Sequence, residues 1–190
     1  FPLHGWIIGR NIYNYYLDLR KSQWLSRPDM IDLQTIKLHR IIDHAYYKCP
    51  YYRNLFDQNN IKPKDILSYK DLNKIPLLDK AVIKKNLYSG MLAINYKPSE
   101  ISRITTSGST GEPFEFYVDK YQLEMRWAST LRSQNWTGYE FGDKCLRLWH
   151  QTIGMSLIQV IKEKLDAFLC RRKFIPVFEL SNSNIANTIK

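Results

Sequence analysis

Apolar residues over the first hundred positions recur at intervals of three and four and are interrupted by prolines. Leu38, Ile41, Ile42 and Ala45 fall on one face of a helix predicted over residues 33–47. Asp32 is placed to cap its first turn, and Pro50 ends it. Ser68 followed by Asp71 reads as a capping box with Asp in place of Glu. Asp79 is placed to cap a second short helix that runs to Asn86. Residues 1–100 therefore read as mainly helical, joined by Pro-containing loops, with no strand evident.

The pattern changes near residue 101. Ile101–Thr105 and Phe114–Val118 have the character of short strands, and residues 120–135 form a helix with Leu123, Trp127 and Leu131 spaced by four. Gly138 and Gly142 punctuate a turn. A strand from Cys145 to Trp149, a helix from about Ser156 to Leu169, a strand from Phe174 to Leu180 and a helix starting near Ser183 follow. Alternating strands and helices predict an α/β fold with a mixed or parallel sheet in residues 101–190. The final predicted helix has barely begun at Lys190, a poor place for a domain to end.

Composition fits a globular protein: 44% hydrophobic, 24% charged and 14% aromatic. No apolar run approaches the ~20 residues that cross a bilayer, and the opening Phe1–Gly9 is too short and too broken by Pro and Gly for a secretory signal. The net charge of +10 is spread over scattered lysines and arginines, with one tight cluster at Arg171-Arg172-Lys173. A solvated basic surface accounts for it, and an anionic ligand such as a nucleotide or coenzyme is the main alternative. Nucleic acid is not expected, because no basic stripe at helical spacing is present. Cys49, Cys145 and Cys170 are odd in number and far apart, and no histidine stands near them at ligand spacing. Three reduced thiols in a cytoplasmic protein, with no metal site, is the resulting expectation.

The chemistry is concentrated between the two predicted strands. Six of the ten residues from Ser102 to Gly111 are Ser or Thr. Hydroxyls donate to phosphate oxygens, and Gly108 and Gly111 let backbone N–H groups turn toward an anion. Pro113 fixes the exit. The glycines are three apart and no Gly-Lys-Ser/Thr follows, so this is neither a mononucleotide P-loop nor a dinucleotide Gly-x-Gly-x-x-Gly motif. By composition alone such a loop is as often an ordinary hairpin connection.

The ordered string Thr106-Ser107-Gly108-Ser109-Thr110-Gly111-Glu112-Pro113 is more specific. It resembles the phosphate loop of the adenylate-forming superfamily, above all its phenylacetate–CoA ligase branch with the CapK-like members. Ala45-Tyr46-Tyr47-Lys48-Cys49-Pro50-Tyr51-Tyr52-Arg53 and Asp71-Leu72-Asn73-Lys74-Ile75-Pro76-Leu77-Leu78-Asp79-Lys80 are similar to segments of that branch. So are the turn from Trp136 to Asp143 and the Leu148-Trp149 strand end. The resemblance runs from about residue 24 to the C-terminus. Phe114 stands where many members have lysine, and Glu112 where a basic residue is common; Glu112 is expected to face solvent.

The resemblance implies an ATP-dependent ligase that forms an acyl- or aryl-adenylate from a small-molecule carboxylate and passes the acyl group to coenzyme A. It implies ATP, Mg2+ and coenzyme A as cofactors, with Thr106, Ser107, Gly108, Ser109, Thr110 and Gly111 on the ATP phosphates. Trp149 and His150, at the end of a predicted strand, are candidates for the acyl pocket; a hydrogen-bonded structural role is the alternative for His150. His39, His44 and the Tyr51-Tyr52 pair read as structural. No catalytic acid or base is assigned. Segments for adenine, magnesium and a catalytic lysine are not found, so the chain is expected to be the N-terminal part of a longer ligase, inactive alone. On this reading residues 1–100 and 101–190 belong to one large domain, and a homodimer is the partner it admits. The alternatives are a non-catalytic nucleotide-binding module and a CapK-like protein of capsular polysaccharide biosynthesis.

Overall fold

The computed structural model describes residues 9–106, 113–149 and 157–176. The described helices are α1 (Ile12–Ser22), α2 (Arg27–Lys48), α3 (Pro50–Gln58), α4 (Lys80–Asn86), α5 (Lys120–Asn135) and α6 (Leu157–Leu169). The strands are β1 (Ile101–Thr105), β2 (Glu115–Asp119), β3 (Cys145–Trp149) and β4 (Arg172–Pro176). Short 3-10 helices occupy Pro63–Asp65, Tyr69–Lys74 and Pro98–Glu100. The α/β class read from the sequence is the one observed. None of the described helices is long and apolar enough to cross a membrane.

These residues fall into two compact units, divided at Arg20/Lys21 and at Leu123/Glu124. In the unit holding residues 21–123, α2 begins at Arg27, earlier than predicted. Ser26 caps it by accepting the Asp29 N–H at 3.3 Å, and Pro28 sits in the first turn, where a missing N–H costs nothing. Asp32 lies inside the helix and is not its cap. Pro50 ends α2 and also opens α3, with Cys49 alone between them. The core is Ile42, Phe56, Ile61 and Ile66, with Leu38, Tyr46 and Ile75 packed against it. Ser68 and Asp71 form the expected capping box, and Asp79 caps α4 through the Val82 N–H at 2.7 Å.

The backbone then turns through Leu87–Met91, where Gly90 takes φ +142°. A Cβ there would stand a tight 3.1 Å from the Tyr51 nitrogen, so glycine is favoured by conformation first and by space second. Strands β1 and β2 close the unit as an antiparallel pair, in register from Ile101↔Asp119 to Thr105↔Glu115. Strand β2 starts one residue later than predicted.

In the second unit, Ile12 and Tyr16 of α1 bury against Ala128 and Leu131 of α5. Helix α1 lies in the region read as mainly helical, although its bounds are not marked by the sequence pattern. The buried face of α5 follows Glu124, Ala128 and Leu131; Leu123 and Trp127 are only half-buried. Glu124 is buried because its carboxylate accepts the Asn11 N–H at 3.2 Å, beside the N-terminus of α1, where negative charge is favoured. Gly138 and Gly142 both have positive φ in the turn that follows α5. Strands β3 and β4 pair in parallel from Cys145↔Arg172 to Trp149↔Pro176, with α6 as the crossover. Strand β4 begins two residues earlier than predicted; residues 177–180 and the helix predicted near Ser183 lie outside the described residues.

Candidate functional site

The β1–β2 hairpin carries the Ser/Thr/Gly loop at its tip. Beyond Thr105↔Glu115, Thr106 and Phe114 are joined as well. The Thr106 N–H donates to the Phe114 carbonyl at 2.9 Å. The Phe114 N–H donates to the Thr106 hydroxyl oxygen at 3.0 Å. A side-chain oxygen thus takes the place a backbone carbonyl would hold in a continued ladder. These two hydrogen bonds close the neck from which the loop leaves. The Thr106 O–H proton still has its own donor capacity. Ser107, Gly108, Ser109, Thr110, Gly111 and Glu112 lie outside the described residues.

Phe114 is a packing residue: its ring stacks on Phe116 with centroids 6.1 Å apart. Just below the neck, Arg103 pairs with Glu115 at 2.9 Å, and the Tyr88 hydroxyl donates to the same carboxylate. Tyr88 also lies 3.1 Å from the Tyr117 hydroxyl. The hydrogen bond to Glu115 pushes the Tyr88 pKa upward, so the phenol stays a donor. This Tyr88–Glu115–Arg103 set holds the hairpin from one side and was missed by sequence reading. The only available signal was strand alternation, which says which residues share a face but not that Tyr88 comes back to meet them.

The other segments that carry the resemblance have structural work in this fold. Arg53 reaches back from α3 and donates to the carbonyls of Tyr46 and Tyr47, each at 3.1 Å. Those carbonyls belong to the last turn of α2, where a cation satisfies both the orphan acceptors and the helix dipole. Tyr51 and Tyr52 meet edge to face at 5.6 Å. Asp71 accepts the backbone N–H groups of Leu67 and Ser68 and pairs with Lys74 at 2.7 Å. The Lys74 hydrogen bond and then the Ser68 N–H hold its carboxyl at about 2.

The histidines His39 and His44 are tied to neighbours, through the Leu67 carbonyl and the Asn95 side chain respectively, each at 3.2 Å. Trp149 is the last residue of β3, and His150 lies outside the described residues. Burial pushes the Cys49 thiol up and the Cys170 thiol to about 11, which keeps both protonated near neutral pH. Among the described residues, no group of three or more His, Cys, Asp or Glu is placed to hold a metal ion.

No family model matches the chain. It is 35% identical over 129 residues to a phenylacetate–coenzyme A ligase of Aromatoleum evansii, covering 66% of this chain and 28% of that protein. It is 24% identical over 155 residues to the protein CapK of Staphylococcus aureus, covering 82% of this chain and 32% of that one. In fold it matches a crystal structure of 2-hydroxyisobutyryl-CoA ligase, solved with 2-HIB-AMP and CoA, at a TM-score of 0.59 and 18% identity. That match covers 87% of this chain and 35% of the ligase. The chain thus spans about a third or less of the length of the proteins it resembles. Sequence likeness to phenylacetate–CoA ligase and CapK, with a fold shared with a CoA ligase, supports kinship with the adenylate-forming superfamily.

Proposed function

We propose that the chain is the N-terminal portion of an ATP-dependent, AMP-forming ligase that activates a small carboxylate and passes the acyl group to coenzyme A. The observation that carries this reading is the Ser/Thr/Gly string of residues 106–111 at the tip of a hairpin whose neck is closed by Thr106 and Phe114. Such a loop offers many N–H and O–H donors to the β- and γ-phosphates of ATP without a long, mobile side chain. Catalysis then comes from orientation of the two substrates and stabilisation of charge on the transferring phosphoryl group. ATP and coenzyme A enter as substrates, and magnesium comes with the nucleotide as its counter-ion.

In this reading Thr106, Ser107, Gly108, Ser109, Thr110 and Gly111 hold phosphates, and Trp149 and His150 line the acyl pocket. Residues 1–100 and 101–190 belong to one large domain of a cytoplasmic enzyme, and this portion alone does not complete the reaction. Phosphorus NMR of tripolyphosphate titrated into the chain tests the loop. Weak binding should be seen, and Ser109→Ala or Thr110→Ala should each weaken it about tenfold, the cost of one hydrogen bond to a charged group. Binding indifferent to both substitutions, or none at millimolar ligand, counts against the assignment.

A CapK-like role in capsular polysaccharide assembly is the second reading, favoured by the CapK match over 82% of the chain. A carboxylate screen of pyrophosphate exchange, with and without coenzyme A, separates the two.

A further inference from the structure

The parallel pair β3–β4 has its polarity reversed. Leu146 and Leu148 are exposed, while Arg147 and Arg172 point inward toward α5 and α6. The two arginines line a cavity of about 50 Å3 together with Arg10, Glu163 and Asp166. Arg172 is paired with Asp166, their side chains 13% and 5% exposed. Arg10 donates to Glu163 at 3.2 Å. Arg147 has no carboxylate partner among the described residues, and its guanidinium lies 5.3 Å from the centre of the Trp127 ring.

The Nε and Nη2 of Arg147 and the Nε of Arg172 are buried without a hydrogen-bond partner among the described residues. Among the described residues, three guanidinium groups therefore line this cavity with two carboxylates, one positive charge in excess; Arg10 and Glu163 are partly exposed, and Arg172 and Asp166 are largely buried. The indole face attracts a cation but accepts no N–H bond of ordinary strength. Water in the cavity would satisfy the N–H groups and leave the charge unbalanced. Burial, and after it the like charge of Arg147, makes Arg172 hold its proton less tightly than an ordinary arginine.

We propose that this cavity binds one small monovalent anion, chloride in solution, held by Nε and Nη2 of Arg147 and Nε of Arg172. A volume of about 50 Å3 admits a halide or formate but no nucleotide phosphate chain, so the site is separate in function from the loop of residues 106–111. The bound ion joins β3 to β4 through the two arginines and stabilises this unit.

Thermal melting of the 190-residue chain in sodium chloride and in sodium gluconate at equal ionic strength reads the site. The chloride sample should melt about 3 °C higher, and bromide should replace chloride. Arg147→Met should abolish the difference between the salts, whereas Arg147→Lys, which keeps the charge, should retain part of it. Crystals grown in bromide should show an anomalous peak within hydrogen-bond distance of both guanidinium groups, a result that does not depend on any variant folding. Equal melting in the two salts, a difference that survives Arg147→Met, or water at the bromide position would each overturn the proposal.

Discussion

Two single residues show how a short motif acquires meaning from its surroundings. Arg53 stands in an exposed position, yet its two hydrogen bonds close the end of the longest helix. Replacing it with alanine should cost about 1 kcal/mol in urea unfolding, the net worth of satisfying helix-end carbonyls. Lysine should recover only part of this, since one ammonium does not reproduce the planar fork. Gly90 is a different case. Its φ of +142° lies where side chains rarely go, and an added Cβ would crowd the Tyr51 nitrogen at 3.1 Å. Gly90→Ala should destabilise by about 1–3 kcal/mol, again read by urea unfolding, and a fully stable variant would show that the turn relaxes freely.

Among the elements, capping chemistry was the most legible part of the sequence. The box formed by Ser68 and Asp71 and the cap at Asp79 hold as read, because Ser, Asp and the next backbone N–H groups are local to each other. The Asp71 carboxyl is held at about 2, below its ordinary 3.8, chiefly by Lys74 and then by the Ser68 N–H. Its folded-state pKa is depressed, so its contribution is complete above about pH 4 and is lost as pH falls toward 2. Carbon-13 NMR of the Asp71 carboxyl across that range checks this; titration near 3.8 would show that the box is open in solution.

What resisted reading was the start of α2 and the features fixed by distant partners. Ser26 rather than Asp32 caps α2, since Pro28 is tolerated in a first turn and the apolar spacing alone does not mark where a helix starts. The bounds of helix α1 escaped because its apolar face is defined by α5, more than a hundred residues away in sequence. The same holds for α5, where burial of Glu124 follows from the Asn11 N–H and not from any local pattern.

For the molecule as a whole, the ordered string from Thr106 to Pro113 carried the family resemblance, and sequence and fold comparisons agree with it. The neck that closes the loop was not legible, because a threonine hydroxyl standing in for a carbonyl leaves no mark in a strand pattern. Nor was the reversed polarity of β3–β4, since Arg147 between two leucines reads as a solvent-facing residue until Trp127 and Arg172 are placed around it. On the proposed function, residues 106–111 hold ATP phosphates in a carboxylate-activating ligase. Its most direct test is carboxylate-dependent ATP–pyrophosphate exchange by the protein of the complete reading frame, wild type against Thr110→Ala. Exchange should fall at least about tenfold at subsaturating ATP in the variant, on the order of one charged hydrogen bond. Exchange at the wild-type rate in Thr110→Ala would contradict it.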